Sequence, residues 1–138
     1  IMEYIDDYLT KLGFMTKYCV DDDSQKLCLI ASAGKEPDLG FVCHTDTVAL
    51  GVNWKDYDAM DLTIDGDKLV GLGISDMKGG MAAVLSAVGN FDWKLPKKGL
   101  KLYFTFDEEN NFTGIKTLVA KERNMKKNDV YALYHRGD

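Results

Sequence analysis

Residues 71–88, Gly71-Leu-Gly-Ile-Ser-Asp-Met-Lys-Gly-Gly-Met-Ala-Ala-Val-Leu-Ser-Ala-Val88, pass from a glycine-rich turn into an apolar helix. Large apolar residues recur there at three- and four-residue steps, as on one face of a helix: Met77, Met81, Val84, Leu85 and Val88. Asp76 stands where an N-cap belongs. Glycine in a helix costs about 1 kcal/mol relative to alanine. Gly79 and Gly80 therefore indicate a backbone that must be free or must closely approach another group.

Predicted helices and strands alternate along the chain. Short apolar runs bounded by turn residues indicate strands, and helical periodicity indicates helices. Besides the helix above, the predicted helices are residues 1–12 and Thr113–Lys121. The predicted strands are Phe14–Val20, Leu27–Ala33, Leu39–Cys43, Leu62–Ile64, Lys68–Val70, Leu100–Phe106 and Val130–Tyr134. This alternation indicates an α/β fold, in which sites form outside the carboxyl ends of the strands.

Composition and charge exclude several classes of partner. The 138 residues suffice for one domain with a real core. A net charge of −5 without a basic stripe argues against nucleic-acid binding. No apolar run approaches the ~20 residues of a membrane span, so we expect no membrane partner. The three cysteines are an odd number and lie in apolar strands, which favours reduced thiols in a cytoplasmic protein.

Potential metal ligands and bases follow the predicted strands or begin the predicted helix: His44, Asp46, Asp76, Glu108 and Glu109. Imidazole with carboxylates suits zinc, with cobalt or manganese as alternatives. Each residue also has a simpler interpretation, as a hydrogen-bonded histidine, a turn or cap aspartate, or a solvated acidic pair. The residue types alone leave both interpretations open.

The motifs and their order resemble the two-zinc hydrolases that include acetylornithine deacetylase, succinyl-diaminopimelate desuccinylase, aminoacylase and carboxypeptidase G. The resemblance rests on His44-Thr-Asp46-Thr-Val48, Trp54, Asp65-Gly66, Gly71 to Gly80, Asp107-Glu-Glu109 and Gly114. It implies a three-layer α/β/α catalytic domain of the zinc-exopeptidase type with a mixed sheet. It also implies two zinc ions and a small N-acyl amino acid or peptide substrate.

The resemblance further implies a role for each site residue. His44 would bind one zinc, and the carboxylate of Asp46 would hold the imidazole of His44 without binding the metal itself. Asp76 would bridge the two metals and would be followed by a cis peptide bond. Glu108 would be the general base, and Glu109 would bind the second zinc.

The end of the chain departs from the family's pattern. The family has a further acidic ligand just after the strand placed here at Val130–Tyr134, whereas this strand runs directly into His135-Arg-Gly137. The late histidine ligand and the lid and dimerisation domain are also absent, and His135 or Asp138 is a weak substitute. Residues 1–138 are therefore expected to be an incomplete N-terminal part of a catalytic domain. The full-length protein is expected to be a homodimer.

The function that follows is metal-dependent hydrolysis of an amide bond, with the 138-residue chain inactive alone. The alternative is a truncated, non-catalytic domain that binds metal weakly or not at all and serves as an interaction module. The hypothesis of nucleotide binding through Gly71-Leu-Gly73 is weak, because the spacing of the glycines is not that of the dinucleotide fingerprint.

Overall fold

A five-stranded mixed sheet forms the centre of the chain in a computed structural model that describes residues 1–35, 37–52, 54–91, 99–122 and 131–132. Its elements in chain order are α1 (Met2–Lys11), β1 (Met15–Val20), β2 (Leu27–Ala33), β3 (Pro37–His44), β4 (Thr63–Asp65), β5 (Lys68–Val70), α2 (Gly79–Gly89), β6 (Gly99–Thr105), α3 (Thr113–Lys121) and β7 (Tyr131–Ala132). β4 and β5 form a separate hairpin.

The strand order is β1-β2-β6-β3-β7. β1 pairs antiparallel with β2, and β2 antiparallel with β6. β3 lies parallel to β6, with His44 opposite Thr105, and also parallel to β7. The carboxyl ends of β3 and β6 therefore meet at one edge of the sheet, and the β1–β2 turn lies at the same edge.

Helices cover both faces of the sheet. On one face, α1 and α2 pack against alternate strand residues, and the buried members of this cluster include Ile5, Leu9, Leu29, Ala31, Met81, Val84, Val88, Leu102 and Phe104. On the other face, α3 contributes Leu118 to a cluster with Cys19, Cys28, Ile30, Tyr103 and Phe106. Because successive strand residues point to opposite faces, β2 and β6 supply both clusters. The predicted three-layer α/β/α arrangement with a mixed sheet is confirmed.

The start of α2 differs from the prediction. Asp76 is not its N-cap, because its backbone is extended (φ −132°, ψ 102°) and its side chain caps nothing. The helix begins at Gly79, after an irregular turn, Ile74–Lys78. A Cβ on Gly79 would lie 2.6 Å from the carbonyl oxygen of Ile74, whereas Gly80 has open space. Close backbone approach thus explains only the first of the two glycines.

The other predicted elements agree with the structure to within a few residues. α1 ends at Lys11, one residue before its predicted end, and α3 has the predicted bounds. β3 begins at Pro37 rather than Leu39. Of the predicted strand Val130–Tyr134, residues 131–132 are described and pair with β3, whereas residues 133–138, with His135 and Asp138, lie outside the described residues. Within the described part of the chain, no helix is both long and apolar enough to cross a membrane.

Candidate metal centre

His44 is the last residue of β3, and its side chain is 5% exposed. Its backbone N–H donates to the Met77 sulfur at 3.2 Å. Its Nδ1 lies 3.1 Å from the main-chain carbonyl oxygen of Asp46. Since a carbonyl only accepts, Nδ1 carries the hydrogen in this contact. That tautomer leaves Nε2 as the nitrogen available to a metal.

The Nε2 atom of His44 faces carboxylates. It lies 2.9 Å from Oδ1 of Asp76 and 3.9 Å from Oε2 of Glu108. Burial lowers the pKa of His44, but the hydrogen bond to Asp76 and the neighbouring carboxylates outweigh it, and the pKa is raised overall. The peptide bond between Asp76 and Met77 is cis, as the resemblance implies.

The Asp46 carboxylate lies between the two strand ends. Its Oδ1 is 3.6 Å from Nδ1 of His44 and, although buried, has no hydrogen-bond partner. Its Oδ2 accepts a hydrogen bond from the backbone N–H of Glu109 at 3.2 Å. The main-chain carbonyl of Asp46 is therefore the closer partner of the imidazole, and the carboxylate of Asp46 connects the β3 end to the segment after β6.

Glu108 and Glu109 follow β6 and complete the cluster. One ligand atom from each of His44, Glu108 and Glu109 lies within 4.8 Å of the other two. The pKa of Glu109 is raised, first by burial and then by the charge of Asp76. Among the described residues, the only cationic group paired with the site carboxylates is His44. Converging carboxylates short of cations and of hydrogen-bond donors fit a bound metal ion.

Asp107, which the sequence places in the acidic motif without a role of its own, organises the segment that carries these glutamates. Its carboxylate accepts hydrogen bonds from the hydroxyl and backbone N–H of Thr113 and from the side-chain amide of Asn110. The Thr113 hydroxyl bond is the largest cause of the lowered pKa of Asp107. An aspartate before a loop that ends in Thr-Gly was the available signal, since aspartate readily caps turns.

All five predicted site residues thus meet at one edge of the sheet. His44 lies next to Asp46, Asp76 and Glu108. The backbone N–H of Glu109 donates to Asp46, and its carboxylate lies within 4.8 Å of ligand atoms of His44 and Glu108. The opposite outcome, with these side chains on different sides of the molecule, would have removed the basis for a metal site. Their convergence is one condition for a metal site, and the described residues meet it.

Solved structures of other proteins share this fold. Human carnosine dipeptidase 1 superposes with a TM-score of 0.77 at 24% identity, covering 95% of this chain and 31% of that one. A metallo-carboxypeptidase of the M20 family from Sulfolobus solfataricus gives a TM-score of 0.72 at 22% identity, covering 95% of this chain and 31% of that one.

Curated relatives match the sequence more closely but are much longer. Acetylornithine deacetylase from Pasteurella multocida is 34% identical over 121 residues, which are 86% of this chain and 32% of that protein. Succinyl-diaminopimelate desuccinylase from Gluconobacter oxydans is 45% identical over 83 residues, 59% of this chain and 22% of that protein. The chain spans at most about a third of the length of these relatives.

The family profile covers most of the chain. Residues 40–137 match the profile described as peptidase family M20/M25/M40. This range contains the second half of β3 with His44, the turn before α2, and β6 with the acidic residues after it, which are the segments that build the cluster. The chain therefore belongs to peptidase family M20/M25/M40.

Proposed function

We propose that this protein hydrolyses an amide bond of an N-acyl amino acid or a small peptide, and that it requires a metal ion. The observation that carries the proposal is the convergence of ligand atoms of His44, Glu108 and Glu109 within 4.8 Å, in a chain of this family. The names of the similar proteins, deacetylase, desuccinylase and dipeptidase, all describe cleavage of an amide bond.

The proposed ligands are His44, through Nε2, together with Asp76 and Glu109. Asp76 would be shared between two ions, each a zinc, with cobalt or manganese as substitutes. When bound, such ions lower the pKa of water toward ~7 and polarise the amide carbonyl. The raised pKa of Glu109 and the partnerless Oδ1 of Asp46 support the proposal, because both show negative charge that the described residues do not neutralise.

Glu108 is the proposed general base. Its side chain is 25% exposed, so water reaches it, and its Oε2 lies 3.9 Å from Nε2 of His44. From there it would take a proton from the attacking water and return it to the leaving nitrogen. His44 is not suited to this task, because its Nδ1 donates to the carbonyl of Asp46 and its Nε2 is the proposed metal-binding atom.

The proposal is tested on the full-length protein with purified N-acetyl amino acids and dipeptides as substrates. Activity that a chelator abolishes and that added zinc restores, with about two metal ions found by mass spectrometry, is the expected result. Turnover that persists after complete metal removal would contradict the proposal. We expect the 138-residue chain alone to be inactive under the same conditions.

The interaction-module alternative is not favoured, because the ligand residues converge and the chain matches an enzyme family. We also propose a cytoplasmic location. All three cysteines are free and buried, and burial raises the pKa of the thiols of Cys28 and Cys43 to about 12 and about 11. A homodimeric full-length protein remains part of the proposal and is checked by light scattering.

A further inference from the structure

The segment between β6 and α3 carries both site glutamates, and it is irregular. Asp107 and Phe112 have positive φ angles of 60° and 57°, a backbone region that side chains rarely adopt. Two such residues within a short loop are kept there only by surrounding contacts. The positions of Glu108 and Glu109 therefore depend on what holds this loop.

The Asp107 side chain is the centre of those contacts. Its Oδ2 accepts the hydroxyl hydrogen of Thr113 and its backbone N–H, the latter at 3.4 Å. Its Oδ1 accepts the side-chain amide of Asn110 at 3.4 Å. Its main-chain carbonyl accepts the N–H of Phe112 at 2.7 Å. One residue thus closes the loop on itself across the two glutamates.

Neighbouring groups fix the two ends of the same loop. The N–H of Gly114 donates to the carbonyl of Phe106 at 3.1 Å. A Cβ on Gly114 would lie 2.6 Å from that oxygen, so the start of α3 lies directly against the end of β6. Between these ends, the backbone of Glu109 is attached to Asp46 at 3.2 Å. The loop has little freedom while Asp107 is in place.

We propose that Asp107 is a positioning residue whose carboxylate holds the loop in the form that brings Glu108 and Glu109 together beside His44. This inference rests on the proposed function only for the roles of Glu108 and Glu109 in metal binding and catalysis. Asp107 itself contacts Asn110, Phe112 and Thr113, and none of the five site residues by a hydrogen bond found among the described residues. Its effect on the metal therefore passes through the backbone of the loop.

The turn after β1 offers a matched control. Asp21 accepts hydrogen bonds from the backbone and hydroxyl of Ser24 and from the hydroxyl of Thr117. It lies at the same edge of the sheet and contacts the same helix, but it holds no site residue. Asp21→Ala therefore removes a comparable set of hydrogen bonds without touching the glutamate loop.

The first measurement is backbone hydrogen exchange of the full-length, metal-free protein. In Asp107→Ala we expect the amides of Glu109, Phe112 and Thr113 to exchange about tenfold faster, the factor that corresponds to one lost hydrogen bond. Amides in β3 and α1 should keep their rates, and Asp21→Ala should leave the loop amides unchanged. Unchanged loop exchange in Asp107→Ala would overturn the proposal, whatever the protein's activity.

The second measurement is zinc affinity by competition with a chromophoric chelator. Loss of a group that orients ligands weakens metal binding by about 10- to 100-fold, and we expect this in Asp107→Ala but not in Asp21→Ala. Asp107→Asn should restore affinity to near the original value, because asparagine keeps an acceptor oxygen and tolerates positive φ. Equal zinc affinity in Asp107→Ala and the unmodified protein would also refute the inference.

Two outcomes separate this inference from the proposed function. If the unmodified protein binds no zinc, the proposed function fails, and the exchange rates still decide whether Asp107 holds the loop. If Asp107→Ala does not fold, Thr113→Val replaces it, because valine removes the hydroxyl donor and keeps the backbone N–H. Thr113→Val should then raise loop exchange and weaken zinc binding in the same direction, and the absence of both effects would reject the proposal.

Discussion

Two acidic clusters lie at the same edge of the sheet, and they are built in opposite ways. In the β1–β2 turn, Asp21 accepts hydrogen bonds from Ser24 and Thr117, and Asp22 pairs with Lys121 at 2.7 Å. The hydrogen bonds from Ser24 are the largest causes that lower the pKa of Asp21 to about 2. This cluster supplies its own donors and cations, so it is complete as a structural element.

The second cluster, at the ends of β3 and β6, lacks such partners. Asp46 has a buried oxygen without a hydrogen bond, and the pKa of Glu109 is raised by burial and by the neighbouring carboxylates. Its carboxylates share one imidazole among them. The contrast shows that a count of acidic residues does not distinguish a candidate metal centre from a structural cluster. The informative quantity is the number of donors and cations that the protein itself supplies to each carboxylate.

The largest difference between the clusters should appear in catalysis. Glu108→Gln in the full-length protein removes the proposed base, and we expect turnover to fall by at least 10²- to 10⁴-fold, roughly what general base catalysis contributes. Metal content should remain, because glutamine keeps the shape of the side chain. Asp22→Asn makes the same chemical change in the β1–β2 turn and should leave kcat and KM unchanged.

Retained activity in Glu108→Gln would remove the assignment of the base. Loss of metal together with activity would instead show that Glu108 is a ligand. The geometry allows this, because Glu108 belongs to the group of ligand atoms with His44 and Glu109. Metal analysis of the same sample distinguishes the two results.

The pH dependence of metal binding should differ from that of a site with ordinary carboxylates. The raised pKa values of His44 and Glu109 mean that protons compete with the metal at higher pH than usual. Zinc affinity should therefore fall as the pH is lowered from 7 to 5, because protons compete for the ligand atoms of His44 and Glu109. Affinity that stays constant over this range would show that these two groups are not ligands.

Steric crowding at the end of the glutamate loop gives the next largest effect. Gly114→Ala places a methyl group 2.6 Å and 2.7 Å from the backbone oxygen and nitrogen of Phe106. Neither backbone atom can move easily, so we expect the free energy of unfolding to fall by about 1–3 kcal/mol. Gly80→Ala, where the space is open, should instead stabilise α2 by up to about 1 kcal/mol. Urea denaturation of the metal-free protein measures both.

Much of the fold followed from local patterns in the sequence. The apolar stripe through Met81, Val84 and Val88 identified the buried face of α2, because one helix face repeats every three to four residues. The meeting of His44 with the glutamates followed from topology, since β3 and β6 are parallel and end at one edge. These features depend on periodicity and strand order, which a sequence carries directly.

The failures concern residues whose role depends on distant partners. Taken alone, Asp76 stands where a helix cap belongs, and only the resemblance made it a metal ligand; its side chain contacts His44, 32 residues away in the sequence. Asp107 was overlooked because its role needs a loop with two positive φ angles, and neither occurs at a glycine. Both parts of Asp46 lie near Nδ1 of His44, the main-chain carbonyl at 3.1 Å and the carboxylate at 3.6 Å, a division that the sequence does not predict. Such choices are made by tertiary contacts.

The smallest effect concerns stability in acid, where the two clusters should change the free energy of unfolding with opposite signs as the pH falls. A lowered pKa means that Asp21 stabilises the fold above its ordinary value near 3.8, and that this contribution is lost as the pH falls through about 2. The raised pKa values of His44 and Glu109 have the reverse sign in the metal-free protein. Their contribution is present at low pH and is lost as the pH rises through the folded values.

Asp21→Asn isolates the first of these effects. In the unmodified, metal-free protein we expect the urea midpoint to fall between pH 4 and pH 2, in the window set by the ordinary and folded pKa values of Asp21. The substitution should flatten that fall, because asparagine does not titrate. Asp23→Asn removes a neighbouring exposed carboxylate and should leave the slope unchanged. If both variants kept the original slope of urea midpoint against pH, the hydrogen bonds of Asp21 would not determine the stability of the fold in acid. The contrast between the two acidic clusters would then not extend to stability.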